Sequence, residues 1–326
     1  MRKSILRILE TGVIGTGLMG SGIAAVFAAG GRRVRVYDTD VDRIRNCRVQ
    51  IGRIVEELGN NDLLDSPPDQ VIQRVAVARE LHDLQTCQFV MEAIPEDLEL
   101  KHQLYRRLEQ VIPHDTILAS NTSGLMPSHL IKNMEHPDRF LVAHFWNPPH
   151  AIPLVEVVPS AKTGAGSVET VLTFLRDVGA EPVLISKELP GFIGNRLQYA
   201  VLREALAIVR SGAATPEAVD LVMKASLGRR YATVGPIETA DLGGLDTFLS
   251  IASHLMPELA KDEDVLDLIR ERVKAGKIGL RSGEGFYPWP KQQAQRVLAR
   301  RNQDLLRRRV ADRESSLSRS PRKLKS

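Results

Sequence analysis

Cysteine is scarce in this chain: two in 326 residues, Cys47 and Cys87, far apart and without the close spacing that metal ligation uses. That usage excludes a disulfide framework and fits a reducing compartment, so a cytoplasmic location and no metal are expected. No apolar run reaches transmembrane length, and the basic opening MRKSILRILETG breaks at Glu10, too early for a secretory signal. A membrane partner is therefore not expected. Lysine is missing altogether between Lys3 and Lys101. The body also lacks an excess of basic charge. Lys291 to Ser326 holds twelve basic and three acidic residues, a net of +9, which leaves −5 on the remainder out of a total of +4. Such a charge balance argues against a nucleic-acid-binding body. The basic tail reads as a solvated, charged helix over 292–309 followed by disorder, in preference to an arm for RNA or acidic lipid.

What is present is ordinary globular composition, 43% hydrophobic and 26% charged, in a chain long enough for two domains. The apolar stretch ILETGVI runs into GTGLMG, with Gly15, Gly17 and Gly20 in GxGxxG spacing. A small-residue helix follows, then the strand RVRVYD, which closes on Asp38. A lone GxGxxG is weak evidence, but strand, glycine turn, helix, strand and acid in this order form the dinucleotide fingerprint. Gly15 permits the tight turn, Gly17 lets a pyrophosphate approach the backbone, and Gly20 lets the helix pack on the strand. Leu18 and Met19 complete the loop at the helix N-terminus, where free N–H groups face the phosphates. Asp38 suits the two ribose hydroxyls of NAD and repels a 2′-phosphate, although Arg32, Arg33 and Arg35 lie nearby. Glu10 and Thr11 are atypical in a first strand, where apolar residues are expected.

Strand and helix then alternate: a helix over 41–58, a short helix and strand at VIQRVAVA, the strand FVMEAIPE, a helix over 98–112, the strand TILAS, a helix over 168–178 and the strand PVLIS. This alternation specifies an α/β fold with a doubly wound, mostly parallel sheet. Ligands bind such sheets at the carboxyl ends of the strands. Asn121, Thr122 and Ser123 fall at one of those ends, and read equally as turn chemistry or as site residues. After KELPG the strands stop. A long, largely apolar helix over 192–210 and further helices to Ala275, one opening at Thr215–Pro216, describe an all-α second domain. Its apolar surface suits burial between two copies. The expected domains are 1–187, 188–290 and the tail 291–326.

Within the first of these domains stands HFWNPPHAIPLVE. Apolar flanks on both sides read as two short strands joined by a proline-stiffened loop. Such a hairpin would bring His144 beside Glu156, and a histidine oriented by a carboxylate is a general acid/base. Taken alone, the two also read as a structural histidine and an unrelated surface glutamate.

GTGLMGSGIA, ASNTSGL, HFWNPP with LVEVV, PGFIGNR, GPIETADLGGLD and SGEGFYPW occur in this order, and together they resemble the 3-hydroxyacyl-CoA dehydrogenase family over roughly residues 10–290. The resemblance implies a Rossmann-type NAD-binding domain followed by an all-α dimerisation domain. It implies reversible hydride transfer between a 3-hydroxyacyl group and NAD, with a small-molecule substrate and a homodimeric assembly. It places the catalytic residues at Ser123, His144, Glu156 and Asn195, with Ser123 and Asn195 on the substrate and Asn147 near the nicotinamide. Two departures bear on the substrate. The lysine-rich helical hairpin of enzymes that use CoA thioesters is missing, with only Arg43, Arg45, Arg48 and Arg53 to substitute. NPPHAIPLVE and GRRYATVGPIET are also closer to relatives acting on free hydroxy acids of the gulonate, carnitine or pyridoxine-breakdown type, for which Arg230 would pair with a carboxylate. A noncatalytic, crystallin-like NAD-binding protein is a further alternative, opposed by the presence of all four catalytic residue types. The β-hydroxyacid dehydrogenases that share a GxGxMG opening use an interdomain lysine, which GFIGNRLQYAVLREAL lacks.

Overall fold

The structure is a computed structural model and describes residues 7–319. Its first compact unit takes in residues up to Ile193 together with those from Ala299 onward, and its second is Gly194–Leu298. In chain order the first unit contains β1 (Glu10–Ile14), α1 (Leu18–Ala29), β2 (Arg33–Tyr37), α2 (Val41–Gly59), α3 (Pro68–Gln73), β3 (Val75–Val77) and β4 (Phe89–Glu92). It continues with α4 (Leu98–Glu109), β5 (Ile117–Ser120), α5 (Pro127–Leu130), β6 (Phe140–Phe145), β7 (Leu154–Pro159), α6 (Ala165–Asp177) and β8 (Glu181–Leu184). The eight strands form one sheet in the order β3-β2-β1-β4-β5-β6-β7-β8. All neighbours are parallel except β6 and β7, which pair antiparallel.

Period-two alternation sorts the strand residues onto two faces. Val13, Val34, Val36, Phe89 and Met91 pack with α1, α2 and α6. Phe27 of α1 meets Phe89, Phe145 and Phe174 edge-on, with ring centroids 5.1–6.0 Å apart. Ile14, Val90, Leu118 and Val142 face the other way, onto Leu104, Tyr105 and Leu108 of α4. Each large side chain buried in this way contributes about 2 kcal/mol relative to exposure. The helices thus cover both faces, and the strand ends and their loops are left for chemistry.

Glu10 has a physical explanation. It is 7% exposed and is held by Arg35 Nε at 2.5 Å, Arg33 at 3.3 Å and the Thr86 hydroxyl at 2.9 Å. Burial alone would raise its carboxyl, but the hydrogen bonds and charges of Arg35, Thr86 and Arg33 outweigh it and hold the group below its ordinary value. Two of the arginines that cast doubt on NAD are therefore committed to Glu10. Cys47 and Cys87 are buried and unbonded to each other, and burial pushes the Cys87 thiol up to about 12.

The second unit holds α7 (Gly194–Arg210), α8 (Pro216–Ala225), α9 (Leu227–Arg230), α10 (Pro236–Gly243), α11 (Leu245–Leu255) and α12 (Asp267–Lys274), with no named strand among them. Thr215 caps α8 by accepting from the Ala218 N–H, and Pro216 follows at the first helical position. The division between the units falls after Ile193, later than the boundary expected after 187. Phe192 is fully buried in the core on the α4 side of the sheet, so the chain stays with the sheet past KELPG. The tail differs more. Its helix, α13, runs Lys291–Arg319 rather than 292–309, so residues 314–319 are helical where disorder is expected. It is not simply exposed either: Leu306 is 2% exposed and clusters with Leu58 and Ala151. Apolar burial overrides the polar composition of the helix. The last seven residues of the expected disordered segment, 320–326, lie outside the described residues. No described helix is long and apolar enough to cross a membrane.

Because the folded-state value of Glu10 is depressed, its contribution to stability is present at neutral pH and is lost as pH falls through the carboxylate range. Glu10→Gln should cost about 2 kcal/mol at pH 7 and flatten the loss of stability between about pH 5 and 3. Urea unfolding at both pH values measures this, and an unchanged pH 7 midpoint would remove Glu10 from the account of stability.

Candidate active site

The glycine loop sits where the strand order reverses, between β1 and β4, the crevice in which doubly wound sheets bind ligands. Gly15 has φ +89°, and a Cβ there would lie 2.6 Å from the Ala93 carbonyl oxygen. A Cβ on Gly20 would collide with the Gly15 carbonyl oxygen, so α1 can leave the turn at this angle only with glycine at that position. Gly17 is the N-cap of α1, and nothing stands within 4 Å of where its Cβ would be. The open space over Gly17, with exposed Leu18 and half-buried Met19 beside it, is a cradle that fits a pyrophosphate. Asp38 stands just past β2. Its Oδ2 accepts from the Thr16 N–H at 2.8 Å and the Thr16 hydroxyl at 3.0 Å. The acid therefore ties the second strand to the glycine turn, and its remaining lone pairs suit ribose hydroxyls.

His144 and Glu156 are directly paired residues of antiparallel β6 and β7. Cross-strand partners project to one face, so the ring and the carboxylate meet, with Nδ1 and Oε2 2.9 Å apart. Both are buried, at 5% and 1% exposure. The Trp146 indole N–H donates to the same carboxylate at 3.3 Å, and the Ile193 backbone N–H donates to its other oxygen at 2.8 Å. Phe192, at φ +52°, turns the chain so that Ile193 presents this donor, and its ring stands 5.6 Å from the His144 ring. A carboxylate only accepts, so it fixes the tautomer in which Nδ1 carries a proton and leaves Nε2 for proton exchange with a substrate.

The Asn121–Ser123 turn follows β5, next to β6, so the topology brings it to the same sheet edge as His144. Asn121 Oδ1 accepts from the Phe145 N–H at 2.8 Å and binds the turn to the end of β6. Glu96 holds the turn from the other side. Its Oε1 accepts from the Thr122 hydroxyl, from the Ser123 N–H at 3.1 Å and from the Gly124 N–H at 3.2 Å. Lys101 lies 3.7 Å from Glu96 and 2.6 Å from Glu92. Glu92 is fully buried and also accepts from Tyr105 at 2.6 Å and Ser120 at 2.8 Å. Burial first, and then the Glu92 charge, push the Tyr105 phenol well above its ordinary value, so it stays a donor.

The remaining expected residues are more dispersed. Asn147 is exposed two residues past the end of β6 and is joined to Pro148 by a cis peptide. Asn195 lies in the first turn of α7 and exposed Arg230 ends α9, both in the second unit. Reading the sequence did not find Glu96, Trp146 or the Ile193 N–H. It also passed over His150, which is 7% exposed with Nε2 3.2 Å from Glu57 of α2. Burial outweighs the nearby Glu57 charge and lowers His150 from its ordinary value, so it is a neutral donor to that carboxylate. The one available signal was proximity to the motif. No group of three or more potential metal ligands occurs among the described residues.

The model of the NAD binding domain of 3-hydroxyacyl-CoA dehydrogenase matches residues 10–189, and that of the C-terminal domain of the same enzyme matches residues 191–289. A 5-formyl-3-hydroxy-2-methylpyridine 4-carboxylate 5-dehydrogenase of Mesorhizobium japonicum is 34% identical over 300 residues, covering 92% of this chain and 96% of the relative. A probable 3-hydroxybutyryl-CoA dehydrogenase of Deinococcus radiodurans is 36% identical over 282 residues, covering 86% of this chain and 100% of the relative. The crystal structure of a 5-formyl-3-hydroxy-2-methylpyridine 4-carboxylic acid 5-dehydrogenase, described as an NAD+ dependent dismutase, superposes with a TM-score of 0.86 at 33% identity, covering 94% of this chain and 99% of that one.

With His144 as the expected acid/base, placed on β6 rather than on the glycine loop, His144→Ala should lower kcat by a factor of about 10³ or more while leaving NADH affinity within about twofold. Steady-state kinetics and a fluorescence titration check the two halves. Wild-type turnover in the variant would eliminate His144 as the acid/base.

Proposed function

The chain belongs to the 3-hydroxyacyl-CoA dehydrogenase family and is an NAD-dependent oxidoreductase acting on a CH–OH group; from that premise we propose that His144, held by Glu156, exchanges the hydroxyl proton of a 3-hydroxyacyl substrate. The observation that carries this reading is the 2.9 Å contact between Nδ1 and Oε2 across β6 and β7. His144 takes the proton on Nε2, and Glu156 stabilises the imidazolium that results. Bound NAD supplies the hydride acceptor at its nicotinamide ring. Ser123 hydrogen-bonds the reacting oxygen, Asn195 hydrogen-bonds the neighbouring carbonyl, and Asn147 borders the nicotinamide. In the reverse direction His144 is the acid. Gly15, Gly17, Leu18, Met19, Gly20 and Asp38 hold the adenosine and pyrophosphate half.

A second reading is the same chemistry on a small free hydroxy acid. It is favoured by the extent of the likeness: the pyridine-carboxylate relative aligns over 92% of this chain, the hydroxybutyryl-CoA relative over 86%. Arg43 and Arg45 of α2 are also engaged by Asp40 and Asp42, and Lys101 is buried against Glu92. Arg230 is exposed and has no ion pair among the described residues, which suits a substrate carboxylate.

We further propose a homodimer formed through the second unit. Tyr199 and Leu197 of α7, Leu242 of α10 and Leu249 of α11 are all more than half exposed, and so much apolar surface calls for a partner. Sedimentation at micromolar concentration should give twice the 36.1 kDa chain mass, and a monomer would refute the dimer. NADH oxidation with acetoacetyl-CoA, run beside NAD reduction with L-3-hydroxybutyrate, L-gulonate and L-carnitine, separates the two substrate readings. Turnover of the thioester at low micromolar concentration supports the first, and turnover of a free acid alone supports the second. Inactivity on all four would remove both substrate classes in the form stated here.

A further inference from the structure

The loop from Asn147 to Ala151 carries its one exposed residue, Asn147, on four buried ones, Pro148, Pro149, His150 and Ala151. Pro149, His150 and Ala151 between them meet α1, α2 and α13. The Pro149 ring lies against Gly22 of α1, where an added Cβ would come within 3.0 Å of it. His150 Nε2 meets Glu57 of α2 at 3.2 Å. Ala151 forms a buried cluster with Leu58 of α2 and Leu306 of α13. Leu306 comes from far beyond the catalytic segment and beyond the residues matched by either family model, which end at 289.

Around Leu306, polar contacts also attach α13. Arg309 donates to the Gly179 carbonyl at 3.0 Å, and Arg313 binds the Asp62 carbonyl and the Asp65 carboxylate. Beside these contacts lies a cavity of about 410 Å³, lined by Leu63, His150 and Arg309 among others, so the helix is not packed along its whole length. The Arg313 pin reaches an exposed carboxylate and is individually weak, whereas Arg309 is half-buried. Leu306 is the buried residue that α13 places in the cluster with Ala151, and its half-buried neighbour Leu305 packs against the same cluster. A change at this single position therefore reaches the loop.

We infer that Leu306 is a positioning residue for the nicotinamide half of the cofactor site: clustered with Ala151 and Leu58, it holds the Asn147–Ala151 loop against α1 and α2. The C-terminal helix is then a working part of the dehydrogenase rather than an appendage. Because the loop matters through Asn147, this role rests on the placement of Asn147 beside the nicotinamide proposed above.

The two halves of the cofactor provide a readout that a general loss of structure would not imitate. ADP-ribose engages the glycine loop and Asp38 but has no nicotinamide. In the full-length chain, Leu306→Asp should weaken NADH by about tenfold while ADP-ribose affinity stays within about twofold. Leu306→Ala should show the same pattern at smaller size, and Leu306→Met should restore wild-type NADH affinity. NADH fluorescence titrations with ADP-ribose competition read both ligands, and Leu306→Ala carries the test if the aspartate variant does not fold. Wild-type NADH affinity in Leu306→Ala and Leu306→Asp overturns the inference, as does an equal loss of NADH and ADP-ribose. Asn147→Ala separates the premise from the inference. If it weakens NADH selectively and the Leu306 variants do not, α13 has no positioning role and Asn147 keeps its own. If Leu306→Asp acts and Asn147→Ala does not, Asn147 is not the group being held and the inference falls in this form.

Discussion

The site depends on a buried carboxylate that the protein has to satisfy. Glu156 is 1% exposed, and an ion in that position costs several kcal/mol unless donors surround it. Donors do, among them His144 on the neighbouring strand, Trp146 just beyond that strand, and the Ile193 N–H at the end of the sheet unit. These partners tie together β6, the loop that leaves it and the segment that precedes the second unit. The same requirement accounts for the left-handed conformation of Phe192, which non-glycine residues adopt only when their surroundings compel it. What offsets the desolvation of Glu156 also orients the histidine.

This arrangement needs the single antiparallel pairing in an otherwise parallel sheet. A parallel connection would have required a long crossover, and a separate segment would then have had to supply the carboxylate. The proline-stiffened loop instead turns β7 back along β6 in a register that sets Glu156 opposite His144. A slip of one residue would send the carboxylate to the other face of the sheet. The loop is in turn braced by α1, α2 and α13, so the geometry of the acid/base pair and the support of Asn147 share one short stretch of chain.

Carboxylates organise the neighbouring strand ends in the same way. Glu92 gathers Lys101, Tyr105 and Ser120 beneath the edge of the sheet. Glu96 collects the hydroxyl and two backbone N–H groups of the turn that carries Ser123. Lys101 stands between the two acids, which keeps this cluster of negative charge compact. Fully satisfied networks of this kind are rigid, and rigidity at the carboxyl ends of β4, β5 and β6 is what holding a substrate against a cofactor would require.

Much of this was legible in the residues alone, because it rests on local rules. The glycine spacing, the acid after the second strand, the alternation of strand and helix and the capped start of α8 each depend on a few adjacent residues and their backbone preferences. Glu10 was recognisable as an anomaly, but its explanation was not, since Arg35 and Thr86 reach it only once β1 and β2 are paired and the loop before β4 has closed over them. The sequence by itself determined the α/β class, the dinucleotide cradle around Gly15, Gly17 and Gly20, and the residue types of the His144 and Glu156 pair. Only the tertiary structure decided that those two side chains meet, that Glu96 underpins the serine turn and that Leu306 shares a buried cluster with Ala151. Their partners stand 12, 26 to 28 and 155 positions apart in the numbering. At such separations contact is set by strand register and packing, and no local period in the chain records it.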